Sequence, residues 1–236
     1  MKLKEFLSVR GIEFESVNVL EGTSGLADLR QLGARSVPVL SRGDQWVFAQ
    51  NIGHVVKFLG LNEKTGPVLS PDELAARTGL ILSTAIRLIR QMPDAKLSTE
   101  VPNRPRSYKV LSFHIFQIQE VFLEMANGAT LTYEALAKPP HEGLNTFADI
   151  AAFGETIRAS YMAWWAAKSD HSGKDTVQTY YGPQTLHETM ERATWHSGQH
   201  VRQWIMLLEM AGIAPDRPLT PADYAGLPMP TNAWDG

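Results

Sequence analysis

The spacing of hydrophobic positions along the chain changes near residue 65. Before that point short patterns alternate, predicting helices over 2–10, 24–32 and 52–59 and strands over 14–19, 37–40 and 46–48. Gly11, Gly33 and Gly60 stand where these helices are expected to end, since glycine commonly terminates helices. This order predicts a small α+β unit over residues 1–61, followed by a linker over 62–69.

After the linker, apolar residues recur at helical spacing over four long stretches. Ser70, Pro71 and Glu73 form a strong helix start, with a capping serine, a proline at the first helical position and a glutamate three residues after the cap. Further helices are predicted over 107–126, 147–168 and 184–211. Four such helices favour a four-helix bundle over residues 70–213, so the chain as a whole is of the α+β class. The proline-rich stretch 214–236 is expected to be an extended tail on the bundle.

Composition excludes several classes of function. The 236 residues include 22 Lys and Arg against 25 Asp and Glu, so no excess positive charge is available for nucleic acid. The chain has no cysteine, which excludes disulfides, thiolate metal ligands and a cysteine nucleophile. No apolar run approaches the roughly 20 residues of a membrane span, and no secretory signal is apparent. We therefore expect a cytoplasmic protein that binds neither nucleic acid nor membrane.

Three histidines carry the candidate chemistry. His196 and His200 are four residues apart, so they share one helix face and can converge on one metal ion. His114 lies in the apolar stripe of the second bundle helix. Because bundles build metal sites from inward side chains on facing helices, these residues predict three neutral nitrogen ligands with an open fourth position. Zinc suits such a site, and nickel, copper and iron also accept imidazole. Gly198 inside the helix indicates close packing or a nearby ligand.

Residues 108–115, 181–188 and 196–203 resemble the DinB/YfiT-like superfamily, which includes mycothiol-dependent maleylpyruvate isomerases and bacillithiol transferases. The resemblance covers about residues 70–213 and is most specific in the last helix. It implies that His114, His196 and His200 bind a divalent metal, commonly zinc or nickel, that activates a low-molecular-weight thiol. Family members often read His-Arg-Gly-Gln from the last histidine onward; here Gln203 is retained and the arginine is displaced to Arg202. Gln203 is expected to orient the substrate or hydrogen-bond a ligand, or alternatively to join two helices.

Residues 4–14 and 36–40 resemble glutaredoxins, in which a Thr-Val-Pro turn with a cis proline lies against the glutathione backbone. The strand and Cys-x-x-Cys turn that precede these residues in glutaredoxins are missing, so the resemblance implies no thiol–disulfide exchange. It implies glutathione binding, with Val37 and Pro38 at the peptide backbone and Gln50 or Asn51, at a helix start, near the γ-glutamyl end. The alternative is a unit retained for packing or dimer contacts.

Arg106, just before the His114 helix, and Arg202 complete the candidate binding residues, because guanidinium groups bind the carboxylates of a thiol cofactor or acidic substrate. The combined features predict a metal-dependent glutathione S-transferase, or a thiol-dependent cis–trans isomerase, that acts on a small electrophilic substrate. A homodimer is expected from the resemblance. A thiol-independent metallohydrolase and a non-catalytic metal- or thiol-binding stress protein are the alternatives that the residues leave open.

Overall fold

Helices dominate the computed structural model, which describes residues 2–19, 24–34, 37–63, 65–102, 104–230 and 232–233. The chain forms two compact units, Met1–Gly66 and Pro67–Gly236, because most residue contacts are made within one or the other. Each unit is described by itself. In the part of the chain that the structure describes, no helix is long and apolar enough to cross a membrane.

The first unit combines three short helices with one hairpin. Its elements are α1 (Lys2–Val9), α2 (Ser24–Gln31), β1 (Val39–Arg42), β2 (Gln45–Phe48) and α3 (Ile52–Leu59). The two strands are antiparallel, with Val39 opposite Phe48. A small core forms from Leu3 and Leu7 of α1, Ala49 after the hairpin and Val55 of α3. Asn51 caps α3 with its side chain, and Gly60 ends it at φ 68°, a conformation that glycine adopts readily.

The strand predicted over 14–19 is not formed. These residues pair with no strand in the described part of the unit, and most of their side chains are exposed. An alternating pattern supplies the side chains of a strand, but a strand also needs a neighbouring backbone to accept and donate its hydrogen bonds. The sheet of this unit, as far as it is described, is therefore the β1–β2 hairpin alone.

The second unit is built on four long helices. They are α4 (Pro71–Ile89), α5 (Tyr108–Ala126), α7 (Phe147–Ala167) and α8 (Leu186–Met210). The short elements between them are a 3-10 turn (Asp94–Lys96), α6 (Tyr133–Leu136), β3 (Thr176–Val177) and β4 (Gln184–Thr185). Ser70 and Glu73 form the predicted capping box at the start of α4. The last helix starts later than predicted, because Gln184 and Thr185 pair with β3 and Thr185 then caps α8.

The four long helices pack as a bundle in which α4 and α5 each contact both α7 and α8. Helices α5 and α8 are antiparallel, since Tyr108 at the start of α5 contacts Trp204 near the end of α8. Helices α4 and α7 are also antiparallel, because Asp72 at the start of α4 accepts a hydrogen bond from Trp165 at the end of α7. The metal-site histidines predicted from sequence all belong to the α5–α8 pair.

The stretch after α8 lies along the bundle. It contains a single 3-10 turn, Pro221–Tyr224, in its described residues. Arg87 of α4 donates hydrogen bonds to the carbonyls of Asp216 and Arg217, and Arg77 of α4 donates to the carbonyl of Asp223. The stretch is thus held to α4 by guanidinium groups that satisfy its backbone oxygens, before it continues to α8.

Candidate metal centre

His114 of α5 meets His196 and His200 of α8. One ligand atom from each histidine lies within 4.8 Å of the other two, and no other group of three or more His, Asp or Glu ligands in the described part of the chain is as close. The ring centroids are 5.4 Å apart for His114 and His196, 5.0 Å for His114 and His200, and 4.9 Å for His196 and His200. The structure therefore brings together the three residues that the sequence indicated.

Buried hydrogen bonds set the register that brings these histidines together. Ser197, next to His196, donates its hydroxyl to the carbonyl of Ile115, next to His114, at 3.0 Å. Gln119 Nε2 then donates to the Ser197 hydroxyl at 3.0 Å and to the carbonyl of the α8 residue Ala193 at 2.9 Å. Since buried polar groups are costly unless they are paired, a slip of α5 along α8 would break all three bonds. The three hydrogen bonds thus fix the register of α5 against α8 next to the histidine cluster.

Each of the three histidines is followed by a glutamine three residues later, and two of these glutamines hold a histidine ring. Gln117 Oε1 lies 2.7 Å from His114 Nδ1. Gln203 Oε1 lies 2.7 Å from His200 Nδ1. On a helix this spacing places both side chains on one face, so each glutamine can reach the ring beside it.

The glutamine amides determine which ring nitrogen carries the proton. Gln203 Nε2 donates to the carbonyl of Ala233 at 2.8 Å, and Gln117 Nε2 donates to the carbonyls of Ala135 and Lys138 at 3.3 and 2.9 Å. A carbonyl oxygen can only accept, so both glutamines must turn their amide oxygens towards the histidines. Nδ1 of both rings therefore carries the proton, and Nε2 keeps its lone pair free for a metal.

The Nε2 atom of His200 tests whether the cluster fits a metal ion. It is buried and has no hydrogen-bond partner among the described residues. A buried nitrogen acceptor without a partner costs free energy unless a ligand satisfies it. The neighbouring rings of His114 and His196 offer two more imidazole nitrogens, which suit zinc, copper, iron and nickel. The three side chains thus fit a divalent transition metal.

The pKa values of all three rings are lowered. Burial lowers the pKa of His200 and that of His196 well below the usual value, and the other histidines of the cluster add to the effect. Burial also lowers the pKa of His114, although its hydrogen bond to Gln117 acts in the opposite direction. The rings are consequently neutral at neutral pH, which is the form in which imidazole binds a metal.

Positive charge faces the cluster. Arg106 contributes to the lowered pKa of all three histidines, and Arg192 contributes to that of His196. No carboxylate among the described residues shifts these pKa values. Arg106 is half-buried, and burial lowers the pKa of its own guanidinium. Beside a metal held by the three rings, such surroundings favour an anionic further ligand over a cationic one.

Gln203 and Arg202, which were predicted to bind substrate or ligand, are engaged within the protein. Both polar atoms of the Gln203 amide are used by His200 and Ala233, which is the placement of a positioning group. Arg202 donates to the Gln199 side chain at 3.3 Å and to the carbonyl of Pro230 at 2.8 Å. It also lines a cavity of about 470 Å³ beside α8, and none of the three histidines lines that cavity.

The residues predicted to bind glutathione lie together in the first unit. The Val37–Pro38 peptide bond is cis, and Gln50 Nε2 donates to the carbonyl of Val37 at 2.9 Å. Asn51 Oδ1 accepts from the backbone N–H of Gly53 at 2.8 Å as the cap of α3. Ser36, the first residue of the stretch 36–40 that was predicted to resemble a glutaredoxin turn, lies outside the described residues. The polar side chains at this turn thus hold the turn and α3 itself.

Gln117 is the residue of the centre that the sequence interpretation missed. Its spacing from His114 equals that of Gln203 from His200, so the repeated His-x-x-Gln pattern was a usable signal. The third repeat behaves differently, because Gln199 does not hold His196 but donates to the carbonyls of Asn232 and Ala233. Gly198, which lies between His196 and Gln199 in the sequence, allows close packing, since an added Cβ would lie 3.3 Å from side-chain atoms of both Ile81 and Tyr224.

No protein-family model matches the chain, and no curated protein matches it. Among solved structures the chain is similar to the crystal structure of a DinB-like protein from Bacillus cereus, with 13% sequence identity and a TM-score of 0.49. That similarity covers 59% of this chain and 91% of the other. At this level of similarity, the function of the chain has to be inferred from its own histidine cluster.

Proposed function

We propose that the protein binds a divalent metal ion through His114, His196 and His200 and presents a small thiol to an electrophilic substrate there. The observation that carries the metal site is the buried Nε2 of His200, which has no hydrogen-bond partner among the described residues. Gln203 holds the proton of that ring on Nδ1, so Nε2 keeps its lone pair, and two further imidazoles lie beside it. Zinc is the expected metal and glutathione the expected thiol.

The thiol part of the proposal rests on charge and on composition. A divalent metal held by three neutral imidazoles keeps its full positive charge, and it converts a coordinated thiol, of which only a few per cent is ionised at pH 7, into thiolate. The chain has no cysteine of its own, so the sulfur has to come from a small molecule. Arg106 adds a further positive charge towards the cluster, which favours an anionic thiol such as glutathione.

The residues of the chain have distinct roles in this reaction. The histidines hold the metal, and Gln117 and Gln203 keep their rings in the required orientation and tautomer. The thiol would lose its S–H proton to water, and its sulfur would form a bond to the electrophilic carbon of a substrate double bond while the π electrons of that bond move onto the rest of the substrate. Those electrons would take up a proton before the adduct is released, or re-form the double bond when the thiol is expelled. Release of the adduct makes the protein a transferase; rotation about a bond of the adduct and expulsion of the thiol make it a cis–trans isomerase. We propose a cytoplasmic location and a homodimer as well.

The metal site is tested first by metal content. We expect about one equivalent of Zn²⁺ in the wild-type protein and almost none in His196→Ala or His200→Ala, with helical circular dichroism nearly unchanged. His187→Gln is the matched control on α8, because the histidine donates to the carbonyl of Leu69 and glutamine keeps a donor there. Full metal content in both alanine variants would contradict the site.

The thiol is tested by titrating glutathione into the Co²⁺-substituted protein. We expect a saturable sulfur-to-cobalt charge-transfer band in the wild type and in His187→Gln, because a thiolate would be bound directly to the metal. If the metal binds at the histidines but glutathione produces no such band, the thiol role fails while the metal site stands. Hydrolytic turnover without any thiol would then favour the metallohydrolase alternative.

A further inference from the structure

Residues near the end of the described chain are connected by hydrogen bonds to a proposed metal ligand. Gln203 accepts from Nδ1 of His200 with its amide oxygen and donates to the carbonyl of Ala233 with its amide nitrogen. Both Gln203 and His200 are buried, with exposed fractions of 7% and 6%. Since Gln203 has one oxygen and one NH₂ group, the Ala233 carbonyl decides which of them faces the histidine.

Two other side chains of α8 hold the same stretch, which we call the 230–233 segment; Thr231 within it lies outside the described residues. Gln199 Nε2 donates to the carbonyls of Asn232 and Ala233 at 3.0 and 2.6 Å. Arg202 donates to the carbonyl of Pro230 at 2.8 Å. The segment is therefore bound by one face of α8 through backbone carbonyls, the same helix that presents His196 and His200.

Gln117 makes the same kind of contacts at His114 that Gln203 makes at His200. Gln117 Oε1 faces His114 Nδ1, and Gln117 Nε2 donates to the carbonyls of Ala135 and Lys138, at the end of α6 and just after it. On both sides a glutamine donates its amide N–H to a backbone carbonyl outside the four long helices and accepts from a histidine ring with its amide oxygen. Because the arrangement recurs on two helices, it indicates a way of building the site rather than one incidental contact.

We propose that the 230–233 segment is part of the metal site and that its docking on α8 and metal binding at the histidines strengthen each other. The Ala233 carbonyl holds the Gln203 amide, the amide oxygen holds Nδ1–H of His200, and Nε2 is thereby aimed into the cluster. This inference rests on the proposed metal site. By thermodynamic linkage, whatever the docked segment adds to metal affinity, the bound metal adds to docking of the segment.

The first test compares two shortened proteins. A chain ending at Pro230 keeps the Arg202 hydrogen bond and loses the Asn232 and Ala233 carbonyls that Gln199 and Gln203 bind. A chain ending at Trp234 keeps all four hydrogen bonds. Zn²⁺ affinity is measured by competition with a chromophoric chelator. We expect about a 10- to 100-fold weaker affinity for the chain ending at Pro230, because Gln203 then loses the Ala233 carbonyl that orients its amide, and the cost is that of disturbing the partner of a ligating histidine. The chain ending at Trp234 should stay within about twofold of wild type.

A full-length variant keeps the proposal falsifiable if the shortened chain folds poorly. Gln199→Leu removes the two hydrogen bonds that Gln199 Nε2 donates to the segment, together with the Oε1 that accepts from Arg202, and leaves the contact between His200 and Gln203 in place. We expect an affinity for Zn²⁺ about three- to tenfold below wild type, with unchanged stoichiometry and helical circular dichroism. Affinity within twofold of wild type in a folded chain ending at Pro230 would overturn the proposal; where that chain does not fold, affinity within twofold of wild type in Gln199→Leu overturns it.

The reciprocal effect is measured by hydrogen–deuterium exchange of a peptide covering residues 227–236. Zn²⁺ is expected to slow exchange there in the wild-type protein and to leave it unchanged in His196→Ala, whose segment contacts are intact. Exchange that is equally fast with and without Zn²⁺ in a wild type that binds the metal overturns the coupling alone. A wild type that binds Zn²⁺ no better than His200→Ala overturns the metal site, and the coupling with it.

Discussion

Gln117 accepts a hydrogen bond from Nδ1 of His114, just as Gln203 does from Nδ1 of His200. Substitution of the single residue Gln117 therefore tests whether such a glutamine supports metal binding. Gln117→Leu removes the acceptor for Nδ1–H of His114 and leaves a ring that can turn or change tautomer. We expect the Zn²⁺ affinity to fall by about 10- to 100-fold, because partners of metal-ligating histidines fix ring orientation. A chelator competition assay measures it.

The control for that variant is Gln178→Leu, which makes the same change at an exposed side chain of the second unit. It should bind Zn²⁺ like the wild type. Gln117→Glu separates two explanations, since a carboxylate still accepts from Nδ1–H but cannot donate to Ala135 and Lys138. Affinity lost in Gln117→Leu and kept in Gln117→Glu assigns the effect to the histidine; equal affinity in Gln117→Leu and wild type contradicts the role of Gln117.

At the scale of an element, α5 and α7 approach closely at one glycine. A Cβ added at Gly154 of α7 would lie 2.3 to 2.7 Å from three ring atoms of Phe116, which is fully buried on α5 two residues from His114. We therefore expect Gly154→Ala to destabilise the protein by about 1–3 kcal/mol, the usual range for overpacking a core. Urea unfolding followed by circular dichroism at 222 nm measures it.

Gly79→Ala on α4 is the matched comparison, because the nearest atom to its new Cβ is the flexible Met162 sulfur at 3.1 Å. Alanine is favoured over glycine inside a helix by about 1 kcal/mol, so this variant should be neutral or more stable than the wild type. If both variants unfold at the same urea concentration, the close approach of α5 and α7 does not decide the stability of the bundle.

The four helices of the bundle and the start of α4 were predictable because the signals are local. Ser70 and Glu73 are three residues apart and make the predicted capping box, and His196 and His200 share a face because of their spacing alone. The strand predicted over 14–19 does not form, and the sequence could not show this, since pairing depends on a partner that the pattern of one stretch does not contain.

At the scale of the whole molecule, the centre joins residues that are far apart in sequence. His114 lies close to His196 only because α5 packs against α8, and the prediction of a four-helix bundle was enough to anticipate this. The carbonyls of Ala135, Lys138 and Ala233 come from stretches without helical periodicity, so nothing in the sequence assigned them to a histidine. Backbone carbonyls are present at every residue, and only the fold selects which of them matter.

The three histidines of the cluster, of which His200 is buried and His114 and His196 are half-buried, also make stability depend on pH. Their pKa values in the folded protein lie below the value of about 6.5 expected in the unfolded chain. Below that pH the unfolded chain binds protons that the folded protein does not, so the folded state loses stability as the pH falls. Several carboxyl groups, including those of Asp72 and Asp149, have lowered pKa values too, and their effect is confined to more acidic pH, below about 4.

We therefore expect the metal-free protein, kept in chelator, to be less stable to urea at pH 5.5 than at pH 7.5. Each histidine that stays neutral in the folded state contributes about 1 kcal/mol to that difference. His196→Gln removes one such group at similar size, so the difference between the two pH values should shrink by about that amount. Saturating Zn²⁺ should steepen the dependence in the wild type, because protons and metal compete for the same nitrogens. An identical pH dependence in the metal-free wild type and His196→Gln would show that His196 is protonated as readily in the folded protein as in the unfolded chain. That result would contradict the lowered pKa that its surroundings in the cluster give it.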